Sequence, residues 1–253
     1  MPCKRIIPLL LMKDGLLKKP LQFVRRPRTV ANPISICSVF EGRRVDELIL
    51  LDIGRREHGL GLNENIIGQI CDLMTVPFVF GGHLDSFEDA AKSIKSGAEK
   101  VSFNTGLVTN PNVIKEVSKV FGKQAIVASI DAKREENGQY RVYIKNGREI
   151  TAFEPIGLAK IAEQLGAGEI LINSIDFDGT MKGYDIELIK QVSNSVNIPV
   201  IAAGGAGTPE DCVEAVTEGR ADAVAVGSMF HFRMITPNNI KSAMQKAGIN
   251  VRL

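Results

Sequence analysis

The residues best placed for chemistry stand at the ends of short apolar segments. Asp131 ends the segment QAIVASID, and a carboxylate there can donate or accept a proton as a general acid or base. Leu11 ends the comparable segment RIIPLLL and brings no ionisable group. Asp178, in DFDGT, is as well suited to bracing a turn as to catalysis, and a solvated or loop-capping role stays open for Asp131 as well.

An internal repeat relates Leu11 to Asp131. The stretch VPFVFGGHLDSFEDA matches IPVIAAGGAGTPEDC, which aligns Gly81–Gly82 with Gly204–Gly205, and DELILLDI matches GEILINSI. A repeat that spans half the chain indicates two related halves. Aligning the first segments of the halves sets Leu11 opposite Asp131, so one half keeps a carboxylate where the other has a leucine.

Two glycine-rich sites repeat in the same way. Gly82 is followed by Asn104 and Thr105, and Gly205 is followed by Gly227 and Ser228. Backbone N–H groups and hydroxyls in such places can hold phosphate. Glycine also permits close packing of strands and helices, but the symmetric pair favours two phosphate cradles and a substrate phosphorylated at both ends.

The elements that position these residues alternate regularly along the chain. Eight apolar segments with helical patterns between them predict an α/β fold, a (βα)8 TIM barrel made of two pseudo-symmetric half-barrels. The segments are RIIPLLL, DELILLDI, VPFVFGG, EKVSFNT, QAIVASIDA, GEILINSID, IPVIAAGG and ADAVAVGS. We expect one domain over residues 1–253, with half-barrels at about 1–122 and 123–253; an open, doubly wound sheet is the alternative.

Turn and cap signals add detail to this barrel. Asn32-Pro33, Asn110-Pro111 and Thr208-Pro209 each predict a helix start with proline at the first helical position. The stretch QYRVYIKNGREI alternates in period two around Asn146-Gly147, which predicts a tight hairpin inserted after the fifth strand. We expect its tip to be exposed on the catalytic face.

Four charged residues open predicted strands. They are Arg5, Glu47, Lys100 and Glu169. Period-two counting places Lys100 on the face of Ser102 and Asn104, and the other three on the faces of Ile7, Ile49 and Leu171; if those faces point inward, all four charges line the barrel floor. Buried charges are costly unless they pair, so two bases and two acids predict a charged ring across the barrel floor. Independent surface ion pairs are the alternative.

Composition narrows the function classes. The net charge of +2 gives no reason to expect a nucleic-acid partner, and the scattered Cys and His residues suggest neither a metal site nor disulfides. No apolar run has the roughly 18 residues of a membrane span, and no signal peptide is evident, so we expect a cytoplasmic protein. One early loop is basic and could close on an anionic substrate or contact a partner; it contains Lys13, Lys18, Lys19, Arg25, Arg26 and Arg28.

These motifs resemble one family over essentially the whole chain. KRIIP, FGGHLDSFEDA, SIDAKR, GAGEILINSIDFDGTMKGYD and SMFHFR resemble the cyclase subunit of imidazole glycerol phosphate synthase. The resemblance implies a barrel that binds a class I glutaminase on its N-terminal face, conducts ammonia, and uses it on a doubly phosphorylated substrate without a cofactor.

The resemblance also assigns roles to individual residues. The ammonia gate falls on Arg5, Glu47, Lys100 and Glu169, and a loop lysine that helps the reaction falls on Lys19. The phosphate-binding positions fall on Gly82, Asn104, Thr105, Asp178, Gly205, Gly227 and Ser228. Of the two catalytic carboxylates of the family, one falls on Asp131 and the other on Leu11.

Departures from the family pattern leave three functions open. Leu11, Asn173, Ala203 and the rewritten loop after Lys19 resemble paralogues that are associated with surface-glycan (lipopolysaccharide) synthesis and supply ammonia to a separate ATP-dependent amidotransferase acting on a nucleotide sugar. The alternatives are an authentic cyclase of histidine biosynthesis, in which Asp52 or Asp176 covers for Leu11, and a non-catalytic scaffold that activates the glutaminase. A related isomerase of the same pathway fits less well, because it also needs paired carboxylates.

Overall fold

The eight predicted segments form a closed barrel of parallel strands. A computed structural model describes residues 3–23, 28–54 and 62–252. The barrel strands, in chain order, are β1 (Arg5–Lys13), β4 (Leu48–Asp52), β5 (Phe78–Gly81), β6 (Lys100–Phe103), β7 (Ile126–Arg134), β10 (Glu169–Ser174), β11 (Val200–Ala203) and β12 (Ala223–Val226). Pairing of β10 with β7 closes the circle, so the (βα)8 prediction is confirmed and the open sheet is wrong.

Four short strands extend two of the loops above the barrel. They are β2 (Leu16–Lys19), β3 (Arg28–Thr29), β8 (Tyr140–Ile144) and β9 (Glu149–Ile150). β2 turns back on β1 and carries β3, whereas β8 turns back on β7 and carries β9. Both additions rise from the first strand of a half-barrel, which places them at the mouth formed by the C-terminal strand ends.

Ten described α-helices surround the barrel, besides a short 3-10 helix at Lys123–Ala125. They are α1 (Pro33–Gly42), α2 (Glu64–Leu73), α3 (Phe87–Lys95), α4 (Thr105–Thr109), α5 (Asn112–Phe121), α6 (Pro155–Leu165), α7 (Ile186–Ser193), α8 (Pro209–Thr217), α9 (Ser228–Phe232) and α10 (Pro237–Lys246). None of these described helices combines the length and apolar character that a membrane span requires.

Two of the three predicted helix starts are confirmed. The Asn32 side chain accepts from the Ile34 N–H, and Thr208 forms a reciprocal capping box with Asp211. The third start lies one residue later than predicted: α5 begins at Asn112, Pro111 before it already has helical φ and ψ, and no side chain caps this helix. The Asn110 N–H bonds instead to the Gly106 carbonyl at the end of α4. The short helix α4 thus uses Asn110 as its own C-terminal cap.

The core has two apolar layers. The outer layer lies between strands and helices and includes Ile6, Leu10 and Leu48. The inner layer fills the barrel and includes Ile7, Leu9, Ile49, Val79, Val127, Leu171 and Ile201. Full burial of each such side chain contributes about 1.5–3 kcal/mol to stability, so the strands that carry the mouth residues stand on a well-buried core.

Candidate active site

The mouth contains a cavity of about 110 Å³ at the C-terminal strand ends. Polar and apolar side chains from both half-barrels line it, among them Leu11, Leu51, Asp52, Asn104, Asp131 and Asn173. The register repeats between the halves, because Leu11 lies beside Leu51 on β4 and Asp131 lies beside Asn173 on β10. The structure therefore brings the two positions related by the repeat to one site.

Asp131 is held by two amides. Asn104 donates to its Oδ2 and Asn173 to its Oδ1, each at 3.0 Å. Burial raises the Asp131 pKa to about 6; the Asn173 hydrogen bond lowers it, repulsion from Asp178 raises it, and the Asn104 hydrogen bond lowers it. A carboxylate with this pKa can exchange a proton near neutral pH.

Leu11 makes the opposite wall of the mouth apolar. Its side chain is 6 % exposed and lies beside Leu51, which packs on the inner core. A leucine cannot take part in proton transfer, so the first half lacks a counterpart of Asp131 at this position.

Asp52 and Asp176 differ in their suitability as substitutes for that carboxylate. Asp52 lines the cavity, accepts from the Gly54 N–H at 3.0 Å, and lies 3.9 Å from the His83 ring nitrogen. Asp176 accepts from the Arg134 N–H at 2.8 Å and lines a separate groove beside Tyr140. Of the two, Asp52 is therefore the one that faces the mouth.

A buried ion pair lies at the second-half cradle, which consists of Gly205, Gly227 and Ser228. Lys19 Nζ lies 3.0 Å from Asp178 Oδ1, and both side chains are almost fully buried. Lys19 lies beside Gly227, next to a space of about 10 Å³ that Gly205 and Ser228 also line. Ser228 Oγ finds no hydrogen-bond partner among the described residues. Asp178 therefore positions Lys19, and the cradle keeps a free hydroxyl.

The polar groups of the first-half cradle, which consists of Gly82, Asn104 and Thr105, already form hydrogen bonds within the protein. Asn104 donates to the Ser129 carbonyl at 3.1 Å as well as to Asp131. Thr105 Oγ1 accepts the Lys145 N–H at 3.2 Å, and Asn146 Nδ2 donates to the Ile53 carbonyl at 3.0 Å.

These contacts correct one expectation. The hairpin at Asn146-Gly147 was predicted to have an exposed tip. Lys145 and Arg148 of the turn are exposed, but Asn146 and Gly147 between them are half-buried over the first-half mouth. The side-chain and backbone hydrogen bonds of the tip hold it there.

Gly82 and Gly205 have a structural reason to be glycine. Both have positive φ, 99° and 116°, and a Cβ on either would collide with a backbone oxygen, of Asp52 and Gly183 respectively. Their presence therefore follows from backbone packing, and phosphate binding there stays a prediction.

The first loop folds over the other side of the mouth. Gln22 donates its N–H to the Asp178 carbonyl at 3.0 Å, and Gln22 Nε2 donates to the Asp176 carbonyl. Phe23 lies against Gly147, whose Cβ position would be 3.2 Å from the Phe23 ring. Loop and hairpin thus meet above the cavity. Arg25 and Arg26, predicted to belong to this basic loop, lie outside the described residues.

The four charges at the strand starts form a closed ring. Arg5 contacts Glu47 and lies 2.9 Å from Glu169, whereas Lys100 lies 2.8 Å from Glu47 and 3.2 Å from Glu169. Burial lowers the Arg5 pKa, but attraction by Glu169 and Glu47 outweighs it and leaves that pKa raised. Each cation touches both acids, which excludes the alternative of independent surface pairs.

The sequence analysis assigned no role to two residues near the site. Ser102 lies on the inner face of β6, as period-two counting predicted, and its hydroxyl has no partner among the described residues. His231 lies on α9, and burial and the nearby Lys19 lower its pKa to about 4, an interaction that no local sequence pattern indicates. The described residues hold no cluster of His, Cys, Asp and Glu suited to a metal ion.

Comparison with known proteins places this geometry in context. Residues 5–236 match the family described as histidine biosynthesis protein. The chain is 41 % identical over 250 residues to the imidazole glycerol phosphate synthase subunit HisF of Geobacillus kaustophilus, covering 98 % of this chain and 99 % of that protein. It is 39 % identical to the subunit HisF of Geobacillus thermodenitrificans, with the same coverage. Its identity to the subunit HisF of Alkaliphilus metalliredigens is 38 %, covering 98 % of both chains.

Proposed function

Because the chain belongs to the histidine biosynthesis protein family, we propose that it is a HisF-like barrel that conducts ammonia from a partner glutaminase but has lost efficient cyclase chemistry. The observation that carries this proposal is Leu11, a buried leucine across the mouth from Asp131. Losing one of two general acid–base groups typically costs about 10²- to 10⁴-fold in rate.

The charged ring supports the ammonia passage. It joins Arg5, Glu47, Lys100 and Glu169 at the N-terminal end of the barrel, where we place the glutaminase. Above it the inner face of β6 offers Ser102 and then Asn104, which bonds to Asp131. Ammonia crosses such an apolar interior as neutral NH₃, because transfer of the ammonium ion would carry a large desolvation cost.

The residues at the mouth support a destination for the ammonia outside the barrel. Leu11, Asn173 and Ala203 resemble the pattern of the paralogues associated with surface-glycan synthesis. We infer that a third, ATP-dependent amidotransferase receives the ammonia and transfers it to a nucleotide sugar. On this interpretation the barrel supplies the passage and a phosphate-binding mouth, and the chemistry on the sugar occurs elsewhere, in the cytoplasm.

An authentic cyclase of histidine biosynthesis is the second candidate function. Asp131 favours it, because its pKa of about 6 and its two amide partners suit proton transfer. Asp52 then has to supply the missing carboxylate from β4.

A cyclase assay separates these two candidates. We expect the wild-type chain, with the doubly phosphorylated aminoimidazole precursor and excess ammonium salt, to turn over about 10²- to 10⁴-fold more slowly than the Geobacillus kaustophilus subunit assayed in parallel. A rate within a few-fold of that subunit would contradict the proposal and establish the cyclase. Asp52→Asn is the matched variant, because it lowers the rate if Asp52 substitutes for Leu11.

A second experiment separates the ammonia passage from a scaffold that only activates the glutaminase. In the reconstituted reaction of barrel, glutaminase and amidotransferase, Ser102→Leu narrows the passage. We expect glutamine hydrolysis to continue while glutamine-dependent product falls, and we expect added ammonium salt to restore the product. Unchanged product from glutamine would support the scaffold alternative.

A further inference from the structure

A buried lysine lies outside both the mouth and the charged ring. Lys241 belongs to α10, and its side chain is 2 % exposed. Its ammonium donates to the Arg44 carbonyl at 2.9 Å and to Asp46 Oδ1 at 3.0 Å. Burial of an ammonium is costly unless the group is paired and hydrogen-bonded, and these two acceptors meet that requirement.

The Asp46 carboxylate connects this lysine to the first barrel strand. Its other oxygen, Oδ2, accepts the Ile6 N–H at 2.9 Å, and the Asp46 N–H bonds to the Ile6 carbonyl at 3.3 Å. Two hydrogen bonds therefore tie the chain just before β4 to the start of β1. Lys241 neutralises the carboxylate that makes one of them.

The two residues joined in this way stand next to members of the ring. Asp46 precedes Glu47, and Ile6 follows Arg5. The Glu47 side chain is 1 % exposed and contacts both Arg5 and Lys100. A displacement of the backbone at Asp46 would therefore pass to the more buried of the two acids in the ring.

The chain that follows α10 fixes the other side of Arg5. The Lys4 N–H bonds to the Asn250 carbonyl at 2.8 Å, and Lys4 pairs with Val251 in a parallel bridge. The Lys4 ammonium also lies 2.9 Å from Asp222, just before β12. Helix α10 and the residues behind it thus hold the backbone on both sides of Arg5.

The turn before Glu47 is strained. Arg44 has a positive φ of 51°, a conformation that a residue with a side chain adopts at a cost in free energy. Its carbonyl is one of the two acceptors of Lys241, so the lysine bonds directly to the strained residue. Loss of the ammonium would allow this turn to relax, three residues from Glu47.

We propose that Lys241 is a positioning residue for the charged ring, which it supports through Asp46 and the turn at residues 44–46. The inference rests on the proposed function in one respect, that the ring controls the passage of ammonia. The contacts of the support do not depend on that function, so the two can be tested separately.

Replacing the lysine by methionine tests the support. Lys241→Met keeps a long side chain but leaves the buried Asp46 carboxylate without its counter-ion. In the reconstituted reaction of barrel, glutaminase and amidotransferase, we expect the ratio of product formed to glutamine hydrolysed to fall by about three- to tenfold. Added ammonium salt should restore the product, because it bypasses the ring.

A neighbouring residue provides the matched control. Ile240 is fully buried on the same helix, and we expect Ile240→Ala to lower the free energy of unfolding without changing the ratio. The double variant Asp46→Asn/Lys241→Met removes both charges and keeps an oxygen for the Ile6 N–H, so it should recover most of the ratio. An equal fall in Ile240→Ala, or no recovery in the double variant, would overturn the proposal.

A spectroscopic measurement on the barrel alone keeps this proposal apart from the proposed function. We expect the carboxyl-carbon resonance of Glu47 to move in Lys241→Met and to stay in place in Ile240→Ala. If Lys241→Met does not fold, Lys241→Gln, whose amide can still donate, replaces it in both experiments with a smaller expected change. An unmoved Glu47 resonance in the folded variant would refute the support. A moved resonance without any glutamine-dependent product in the wild type would instead remove the passage and leave the support intact.

Discussion

The two half-barrels share a frame but differ at the mouth. In the second half, Asp131 is held by two amides and Ser228 keeps a free hydroxyl. In the first half, Leu11 replaces the carboxylate and the hairpin occupies the hydroxyl of Thr105. The strand registers of the two halves nevertheless correspond, so the difference between them is confined to the residues at the strand ends.

The floor of the barrel shows the reverse relation between the halves. Glu47 and Glu169 are equivalent by the repeat, one from each half, but both cations, Arg5 and Lys100, come from the first half. The half that carries Leu11 at the mouth therefore supplies three of the four residues of the ring.

The largest expected effect comes from making the halves alike at the mouth. Leu11→Asp places a second carboxylate across from Asp131, and we expect cyclase turnover with ammonium salt to rise by about 10²- to 10⁴-fold. The gain should appear in kcat and leave KM unchanged, because the hairpin still covers the first-half cradle in the variant and the substrate contacts there stay the same. Leu11→Asn is the control of equal size, and an equal gain in that variant would exclude proton transfer as the cause.

The ring offers the next largest effect. Glu47 is 1 % exposed and contacts both cations, so Glu47→Gln leaves buried charge poorly compensated. We expect the free energy of unfolding to fall by about 3 kcal/mol, measured by chemical denaturation. The equivalent Glu169→Gln should cost less, because Glu169 is 12 % exposed and one of its oxygens lacks a partner in the described structure. Equal losses would show that burial does not distinguish the two acids.

The pH dependence of stability tests the environment of Asp131. Its pKa of about 6 lies above the ordinary 3.8, so the folded protein keeps a proton that the unfolded chain has lost. The stability that this retained proton contributes is fully present below pH 3.8 and is lost as pH rises through about 6. His231 acts in the opposite direction, because its pKa of about 4 lies below 6.5 and its contribution is lost as pH falls.

Asp131→Asn should therefore steepen the rise of the free energy of unfolding between about pH 4 and pH 6, since the His231 contribution is then no longer opposed. Urea titrations across that range measure the slope. The carboxyl-carbon resonance of Asp131 in the wild type checks the pKa directly, and a midpoint near 4 would contradict the effect of burial.

The smallest expected effect is at the hairpin. Asn146→Ala removes the bond from Nδ2 to the Ile53 carbonyl, which we expect to cost about 1 kcal/mol of local stability. Hydrogen exchange should show faster exchange of the Lys145 amide, which lies at the tip. Unchanged exchange would mean that the contact of Phe23 with Gly147 holds the tip alone.

The positions of the site residues along the barrel strands could be predicted from the sequence, because they depend on local patterns. Period two placed Glu47 and Lys100 inward, and the repeat aligned Leu11 with Asp131. The hairpin itself was predicted from Asn146-Gly147, but its position over the mouth was not. That position depends on bonds to Ile53 and Thr105, about 93 and 40 residues away in the chain, which no local pattern encodes.

The partners of the charged residues could not be predicted from the sequence either. The pairing of Lys19 with Asp178 joins residues 159 positions apart, so no local pattern indicates it. The low pKa of His231 likewise arises from burial and from Lys19, which depend on how the first loop folds. Sequence patterns therefore located the groups but not the electrostatics that couple them.

The contact between Phe23 and Gly147 has a kinetic consequence. The first loop and the hairpin meet over one side of the cavity, whereas Asp131 stays partly exposed. A ligand small enough for that opening should associate with a rate that rises in proportion to its concentration. A ligand that has to displace Phe23 from Gly147 should show an observed rate that saturates, because opening of the protein then limits association.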